Sequence, residues 1–320
     1  MRAFFLTTET NETPKYAESL ACVDGFQVKH HIFSHINKRQ SIEALELEIG
    51  DAIKDYESEV VVYLGGCGGH LPSAEFFAKV NRDIPTVLMC SDAGDAATSP
   101  WGPLLRLYDH RDSFRVVVAI DGNRNWEFSD RHLTLLTPID PTRYPDPPIP
   151  HAQRRMVFGF AGNIGNFRAV DKHGTPAGRR PHIAKMQEYG LQYRDRDNTF
   201  DPDLPHSQSY QNCCDFLSQC RITPNFSETG SYESHHVKGR VIEVGLAGGM
   251  LLEEKGAPTY EWFERGVDYL EWETDAQAKS IVEAFKDKPD ETQAMGLRLR
   301  KKVLENHNPT KFWTQVMAKI

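Results

Sequence analysis

Apolar residues along the chain come in two kinds of run, and each predicts a different element. Short unbroken runs, RAFFLT (2–7), VVVYL (60–64), IPTVLMC (84–90) and RVVVAI (115–120), fit strands of a sheet covered on both faces. FQVKHHIF (26–33) alternates, with Val28 and Ile32 apolar, and HLTLL (132–136) closes the series as a short strand. Segments with helical spacing lie between them. In SIEALELEIGDAIKDY (41–56), Ile42, Leu45, Ile49 and Ile53 recur every three or four residues, and Ser41 stands at the capping position. Further helices are expected from Ser73 to about Val80 and over about residues 101–112. Strands alternating with helices predict a parallel α/β sheet, whose ligand crevice forms in the loops after the carboxyl ends of the strands. Those loops carry His70 in GGCGGHL (65–71), Asp92 and Asp95 in SDAGD (91–95), and Asp121.

The pattern then breaks. TPIDPTRYPDPPIP (137–150) holds six prolines in fourteen residues, which neither a helix nor a central strand tolerates. It reads as a stiff, extended linker. MVFGFAGNIGN (156–166) starts a second α/β series as a strand running into a Gly/Asn turn, and RRPHIAKMQEYG (179–190) follows as a helix stopped by Gly190. Residues 191–210 are polar and turn-rich. SYQNCCDFLSQC (209–220) reads as a helix and RITPNF (221–226) as a strand. Within SETGSYESHHVKGRVIEVGLAGGMLLEE (227–254) an apolar helix ends at a Gly pair, and the strand MLLEE follows. TYEWFERG (259–266) predicts a short helix and YLEW (269–272) a strand. Helices over 275–287, 291–307 and 312–320 end the chain. The expected organisation is a domain over 1–137, a linker over 138–150, a second domain over 151–311, and a last helix, 312–320, that suits a return to the first domain.

Composition narrows the class. At 320 residues the chain accommodates two domains of roughly 150. A net charge of −8 and a pI near 5.9 argue against a nucleic-acid partner, while leaving room for a local positive pocket. The N-terminus, MRAFFLTTETNETPKY, lacks the apolar core of a signal peptide, and no apolar run approaches the roughly 18 residues of a membrane span. Six cysteines without zinc spacing, Cys213 and Cys214 adjacent among them, fit reduced, buried thiols in the cytoplasm rather than disulfides or a metal site.

The residues of 240–254, RVIEVGLAGGMLLEE, resemble the Arg–x–x–Glu–Ala–x–Ala–x–Gly pattern of GT-B glycosyltransferases, most nearly the CgeB-like branch of the group-1 type. YEWFERGVDYLEW (260–272), the helix 275–287 and LRKKVLENHNPTKFW (299–313) extend the resemblance over about residues 221–320. FGFAGNIGN (158–166) and Arg180 match the family's Gly loop and the Arg that follows it. The resemblance implies an α/β chain of two Rossmann-like domains facing each other across a cleft. The second would hold a nucleoside-diphosphate sugar and the first an acceptor, a glycan or lipid-linked saccharide. It implies no cofactor and no catalytic metal.

The individual residues keep two readings each. Glu243 lies among Val241, Ile242, Val244, Leu246 and Ala247. A buried carboxylate needs partners: the ribose hydroxyls that the resemblance implies, or Arg240 three residues away. Lys238 and Arg240 at a helix start suit a diphosphate, whose charge grows as it leaves, or are solvated charges or core salt bridges. His235 and His236 fit contacts to diphosphate or sugar, or polar loop positions. His235 also stands where many relatives carry a Glu, so the stereochemical outcome stays open. The turn Gly162, Asn163, Gly165 permits close approach of a phosphate or sugar or is a structural turn, and Arg179 and Arg180 reach toward the same diphosphate or are exposed cations at a helix start. His70 and Asp92 are candidates for acceptor binding or for a catalytic base, with turn formation as the alternative.

Asp195–Asp197 and Asp201–Asp203 match Asp–x–Asp, but their polar, turn-like setting argues against a metal site. The basic run Arg298, Arg300, Lys301, Lys302 reads as a solvated helix face rather than a membrane contact, so membrane association would at most be peripheral. Three functions follow: sugar transfer, nucleotide-sugar epimerisation on the same fold, and a non-catalytic sugar-nucleotide or glycan-binding subunit. The donor base, the sugar and the oligomeric state are not legible.

Overall fold

A computed structural model describes residues 1–8, 14–33, 41–65, 72–91, 111–122, 130–162, 178–194, 206–228 and 235–320. The chain forms two compact units, Met1–Ile139 with Pro309–Ile320, and Asp140–Asn308.

The first unit is built on strands β1 (Arg2–Thr8), β2 (Gln27–Phe33), β3 (Val60–Gly65), β4 (Thr86–Cys90), β5 (Val116–Ala119) and β6 (His132–Thr134). They pair in parallel in the order β2-β1-β3-β4-β5-β6. The unbroken apolar runs have a direct cause, because both faces are covered. Phe4, Leu6, Val61 and Tyr63 pack on one face against Leu45, Ile49 and Ile53 of α2 (Ile42–Asp55) and Phe76 and Phe77 of α3 (Ala74–Asp83). Ala3, Phe5, Val60 and Val62 pack on the other against Ala17 and Leu20 of a helix α1 (Lys15–Ala21) and against residues 312–316. The hydroxyls of Ser41 and Ser73 cap α2 and α3. Helix α1 is not visible in the pattern: it has seven residues and no side-chain cap, and it buries only Ala17, Ser19 and Leu20. Of the helix expected over 101–112, residues 101–110 lie outside the described residues, and Arg111–Ser113 form a 3-10 turn.

The second unit holds β7 (Met156–Ala161), β8 (Gln192–Arg194), β9 (Cys220–Asn225), β10 (Met250–Glu254) and β11 (Tyr269–Trp272), parallel in the order β11-β10-β9-β7-β8. Its helices are α4 (Arg179–Gln187), α5 (His206–Ser218), α6 (Gly239–Ala247), α7 (Asp275–Phe285) and α8 (Pro289–Asn306). The last helix of the chain, α9 (Pro309–Met317), belongs to the first unit. Strand β8 lies in the stretch that reads as turn-rich, because only three residues pair at the sheet edge. TYEWFERG is not an α-helix: Pro258–Glu261 make a single 3-10 turn, and β11 follows after Gly266.

Helix α6 is buried on every side from Val241 to Ala247. It ends at Gly248, whose φ of 65° is left-handed, and the Gly249 amide donates to the Val244 carbonyl at 3.0 Å. The remaining carbonyls of its last turn find side-chain donors, two of them guanidinium groups. Arg154 gives Nη2 to the Ala247 carbonyl at 2.7 Å and Nη1 to Cys220 at 2.6 Å. His151 gives Nε2 to the Gly248 carbonyl at 2.8 Å. Arg300 donates to the Leu246 carbonyl and pairs with Asp146 at 3.2 Å. Arg300 is therefore 5% exposed and departs from the solvated face expected of the basic run, since it serves a helix terminus in the core. On the same helix, Gly296 lies so close to Gly248 that a Cβ would come within 2.3 Å of its carbonyl oxygen.

Candidate functional site

In the second sheet, β7 has β8 on one side and β9 on the other, so the connections leave it in opposite directions. Such a switch point opens a crevice at the carboxyl ends of the two strands. The residues gathered at this edge come from the end of β7, from the ends of β9 and β10, and from the starts of α4, α6 and α7.

The helix starts differ in kind. Helices α2, α3 and α7 close their first turns with Ser41, Ser73 and Thr274, the last in a full capping box with Gln277. Helix α6 starts at Lys238 with no side-chain cap and no acid in its first turn, and Gly239 and Arg240 come next. Helix α4 likewise starts at Gly178 without a side-chain cap, and Arg179 and Arg180 occupy its first positions with no acid among them. A helix start without a side-chain cap, with the positive end of the helix and adjacent cations, favours an anion.

Arg240 ties the start of α6 to the end of β7. Its Nη2 donates to the Ala161 carbonyl, its Nη1 lies 2.9 Å from the Glu243 carboxylate and 3.9 Å from Cys213 Sγ, and its guanidinium lies over the Phe160 ring at 5.5 Å. Gly162 follows at once, with φ at 157°, a region that L side chains rarely adopt. A Cβ there would fall 3.3 Å from Arg240 Nη2 and 3.0 Å from the Phe160 ring. The Gly162 amide is held by the Arg194 carbonyl at 3.1 Å, and its carbonyl accepts from the Tyr193 hydroxyl at 2.9 Å.

Glu243, 5% exposed, thus has its partner within the chain. Of the two readings of this residue, the ion pair with Arg240 is the arrangement present. Tyr144, Tyr210, Cys213 and Cys214 surround it. Burial, reinforced by the negative charge of Glu243, pushes both phenols well up and the Cys214 thiol to about 12. Burial works against the charge on Arg240, but Glu243, together with Cys213 and Tyr144, more than offsets this and leaves the guanidinium raised.

A second group lies at the ends of β9 and β10. Glu254 Oε2 accepts from the Ser227 amide at 2.7 Å, the Glu228 amide at 3.2 Å and the Ser227 hydroxyl at 3.1 Å. The same hydroxyl oxygen lies 2.8 Å from His235 Nδ1. His236 is buried at 1% exposure, its amide donating to the Ser227 carbonyl at 3.1 Å. The Glu228 carboxyl is pushed up by burial and by the Glu254 charge, against the pull of His235, His182 and Lys238. His182 Nδ1 is 2.8 Å from Asp275 at the start of α7. One residue before Glu254, Glu253 is fully buried, with both oxygens 3.0 Å from Asn225 Nδ2. Burial, with Glu254 and Glu271 nearby, raises its carboxyl to about 8.

Gly162, Arg180, Lys238, Arg240, Glu243, His235 and His236 therefore belong to one unit, and all but Arg180 have their immediate surroundings defined above. His70, Asp92, Asn163 and Gly165 lie outside the described residues, as do Asp195, Asp197, Asp201 and Asp203. Ser227, Glu228, Glu254 and His182 were not singled out from the sequence. The available signal was MLLEE itself, a strand that turns acidic while still buried. Among the described residues no three His, Cys, Asp or Glu side chains group as a metal site, and no helix is long and apolar enough to cross a membrane.

Two Rossmann-like units with parallel sheets of this order define the fold of the GT-B glycosyltransferases. Residues 175–318 match the family model described as "Glycosyl transferase-like". Among solved structures, HepE from Anabaena in complex with UDP is similar over 100% of both chains, at 11% identity and a TM-score of 0.60. Sucrose-phosphate synthase from Thermosynechococcus elongatus is similar over 100% of this chain and 99% of its own, at 10% identity and a TM-score of 0.63. The UDP-GlcNAc 2-epimerase of Neisseria meningitidis, bound to UDP-GlcNAc, covers 100% of both chains at 11% identity and a TM-score of 0.57. Likeness at such identities concerns the fold. No curated protein matches the chain by sequence.

Proposed function

We propose that the protein is a glycosyltransferase, of the CgeB-like group-1 type, that moves a sugar from a nucleoside-diphosphate sugar to a hydroxyl of a glycan or lipid-linked saccharide. The observation that carries this reading is the pair of helix starts at the switch point. Helices α4 and α6 both begin uncapped, free of acid and rich in cations, and Gly162 stands at the end of β7 beside the second of them. The diphosphate is held there by Lys238, Arg180, the first amides of α6 and the turn from Gly162, with Asn163 and Gly165 continuing it. As the sugar leaves, charge gathers on the diphosphate oxygens, and fixed donors stabilise it without rearranging. Glu243 serves the site from beneath by fixing Arg240, and ribose hydroxyls reach its carboxylate only when that pair opens. His236 backs the same loop. His70 and Asp92 act on the acceptor side, in the first unit. The reading invokes no cofactor or metal, and it goes with a cytoplasmic enzyme in at most peripheral contact with a membrane.

Likeness to a UDP-GlcNAc 2-epimerase structure supports a second reading, epimerisation of the same class of nucleotide sugar. One experiment separates the two. Thermal unfolding is followed with UDP-, GDP-, CDP- and ADP-sugars, where a ligand at a hundredfold excess over Kd stabilises by about 2.7 kcal/mol. With the sugar nucleotide that raises Tm, release of nucleoside diphosphate only in the presence of acceptor supports transfer, and conversion of the sugar without acceptor supports epimerisation. No shift with any of them overturns both.

A further inference from the structure

We infer that Ser227 and Glu254 are positioning residues that fix the tautomer of His235, and that His235 thereby reads a sugar hydroxyl rather than a phosphate. The inference deepens the donor-site reading above and rests on it for the identity of the ligand.

The argument starts at Glu254 Oε2. Two backbone amides donate to this oxygen, that of Ser227 at 2.7 Å and that of Glu228 at 3.2 Å. An amide has no alternative to donating, so Oε2 is an acceptor here. The Ser227 hydroxyl oxygen lies 3.1 Å from the same atom. With no proton between them, two oxygen lone pairs would face each other, so the single hydroxyl proton of Ser227 points at Glu254. The serine then has only lone pairs to offer His235 Nδ1 at 2.8 Å. His235 Nδ1 must carry the proton, and in the neutral ring the lone pair is confined to Nε2. The chain from carboxylate through serine to imidazole thus has one direction.

The ring is also fixed in place. Gly256 lies beneath it, where a Cβ would come within 2.8 Å of Cδ2 and 3.0 Å of Nε2. Glu228 and His235 form an isolated antiparallel bridge. His235 is half-buried and sits at the carboxyl ends of β9 and β10, three residues before the uncapped start of α6.

A lone pair at Nε2 selects its ligand. A phosphate oxygen brings no proton and would meet it lone pair to lone pair. A hydroxyl donates to it. With Lys238 and the α6 amides beside it for the diphosphate, His235 takes the adjoining part of the donor, a hydroxyl of the sugar.

The test is histidine tautomer assignment by long-range ¹H–¹⁵N correlation on protein labelled at its 13 histidines, above the titration range. The His235 signals are assigned by their loss in His235→Asn. The wild type is expected to show Nδ1–H at His235. Ser227→Ala is expected to shift the ring toward Nε2–H, the commoner form of free neutral imidazole. An Nε2–H ring in the wild type overturns the inference without reference to any variant. For the ligand, the Nε2 resonance is followed with the sugar nucleotide that raises Tm and, separately, with its bare nucleoside diphosphate. A shift with the first alone supports the hydroxyl contact. An equal response to both, or none while Tm rises, overturns it and leaves the donor site standing. If no sugar nucleotide raises Tm, the donor reading and the hydroxyl contact fall together, and the tautomer still decides the role of Ser227 and Glu254.

Discussion

Arg240 and Glu243 face each other across 2.9 Å on the first turns of α6, their side chains only 13% and 6% exposed. Removing one member of such a pair strands a charge in a low-dielectric setting, at a cost of about 3–5 kcal/mol. Glu243→Ala is therefore expected to lose that much stability in urea unfolding with no nucleotide present. Replacing both, as Arg240→Met with Glu243→Leu, is expected to recover most of it, because the desolvation of both charges is removed as well. A Glu243→Ala protein of unchanged stability but weakened sugar-nucleotide binding would instead make ribose the main partner of this carboxylate.

Lys238 stands at the N-cap of α6 and carries no cap bond that its removal would break. Its charge attracts the Glu228 carboxylate, so Lys238→Ala is expected to lower stability by no more than about 1 kcal/mol. It is expected to weaken binding of the sugar nucleotide by about 1.5–3 kcal/mol, the size of a hydrogen bond to a charged group, or roughly tenfold or more in Kd. Titration calorimetry on the two proteins gives the comparison.

Glu253 gives the fold a pH dependence of unusual sign. Its carboxyl is held at about 8 in the folded protein against 4.5 for a free glutamate, because burial favours the protonated form. Between these values the folded state binds the extra proton, so stability falls as pH rises. The contribution is complete below about 4.5 and lost as pH passes 8. The loss is on the order of 3–5 kcal/mol at about 1.4 kcal/mol per unit. Glu253→Gln is expected to flatten the profile and to be the more stable protein at pH 8. Urea midpoints of both proteins across pH 5 to 8 decide it.

His151 acts in the opposite direction. Burial, with Arg154 alongside, lowers it to about 4 against 6.5 for a free histidine. Its Nε2 donates to the Gly248 carbonyl, and its Nδ1 lies 2.8 Å from the Thr292 hydroxyl oxygen, so both ring nitrogens are held in the core. The stability this provides is present above about 6.5 and lost as pH falls toward 4, about 3 kcal/mol in all. His151→Gln is expected to be less stable than the wild type at pH 7 and to lose less on acidification to pH 5.

Periodicity made most of the fold legible, because both sheets are covered on both faces. VVVYL and the TVLMC of IPTVLMC are unbroken since every residue in them is buried, and the helices that flank the sheets, α6 apart, carry one apolar face each. The short pieces at the margins were not legible: α1 buries three residues, and β8 pairs through three. The site divides in the same way. Gly162, Lys238 and Arg240 could be read because glycine at a strand end and cations at a helix start have local meaning. The partnership of Ser227 with Glu254 could not, since it joins residues 27 apart that meet only because β9 and β10 are neighbours in the sheet. Arg300 shows the converse: a charge inside a basic run is drawn into the core by carbonyls at the end of α6, 54 residues earlier.

The packing of α9 bears on the order in which the protein completes itself. Phe312, Trp313 and Val316 are buried against the β1–β5 face of the first sheet, and the Trp313 indole donates to the Ser19 hydroxyl at 3.1 Å. A ribosome delivers these residues after the whole of the second unit. The first unit thus emerges with one face of its sheet covered only in part, by α1, and waits through the synthesis of the second, residues 140–308. The unit that is begun first is completed second, and the cover over Phe5, Val62 and Met89 stays partial until residues 312–316 arrive.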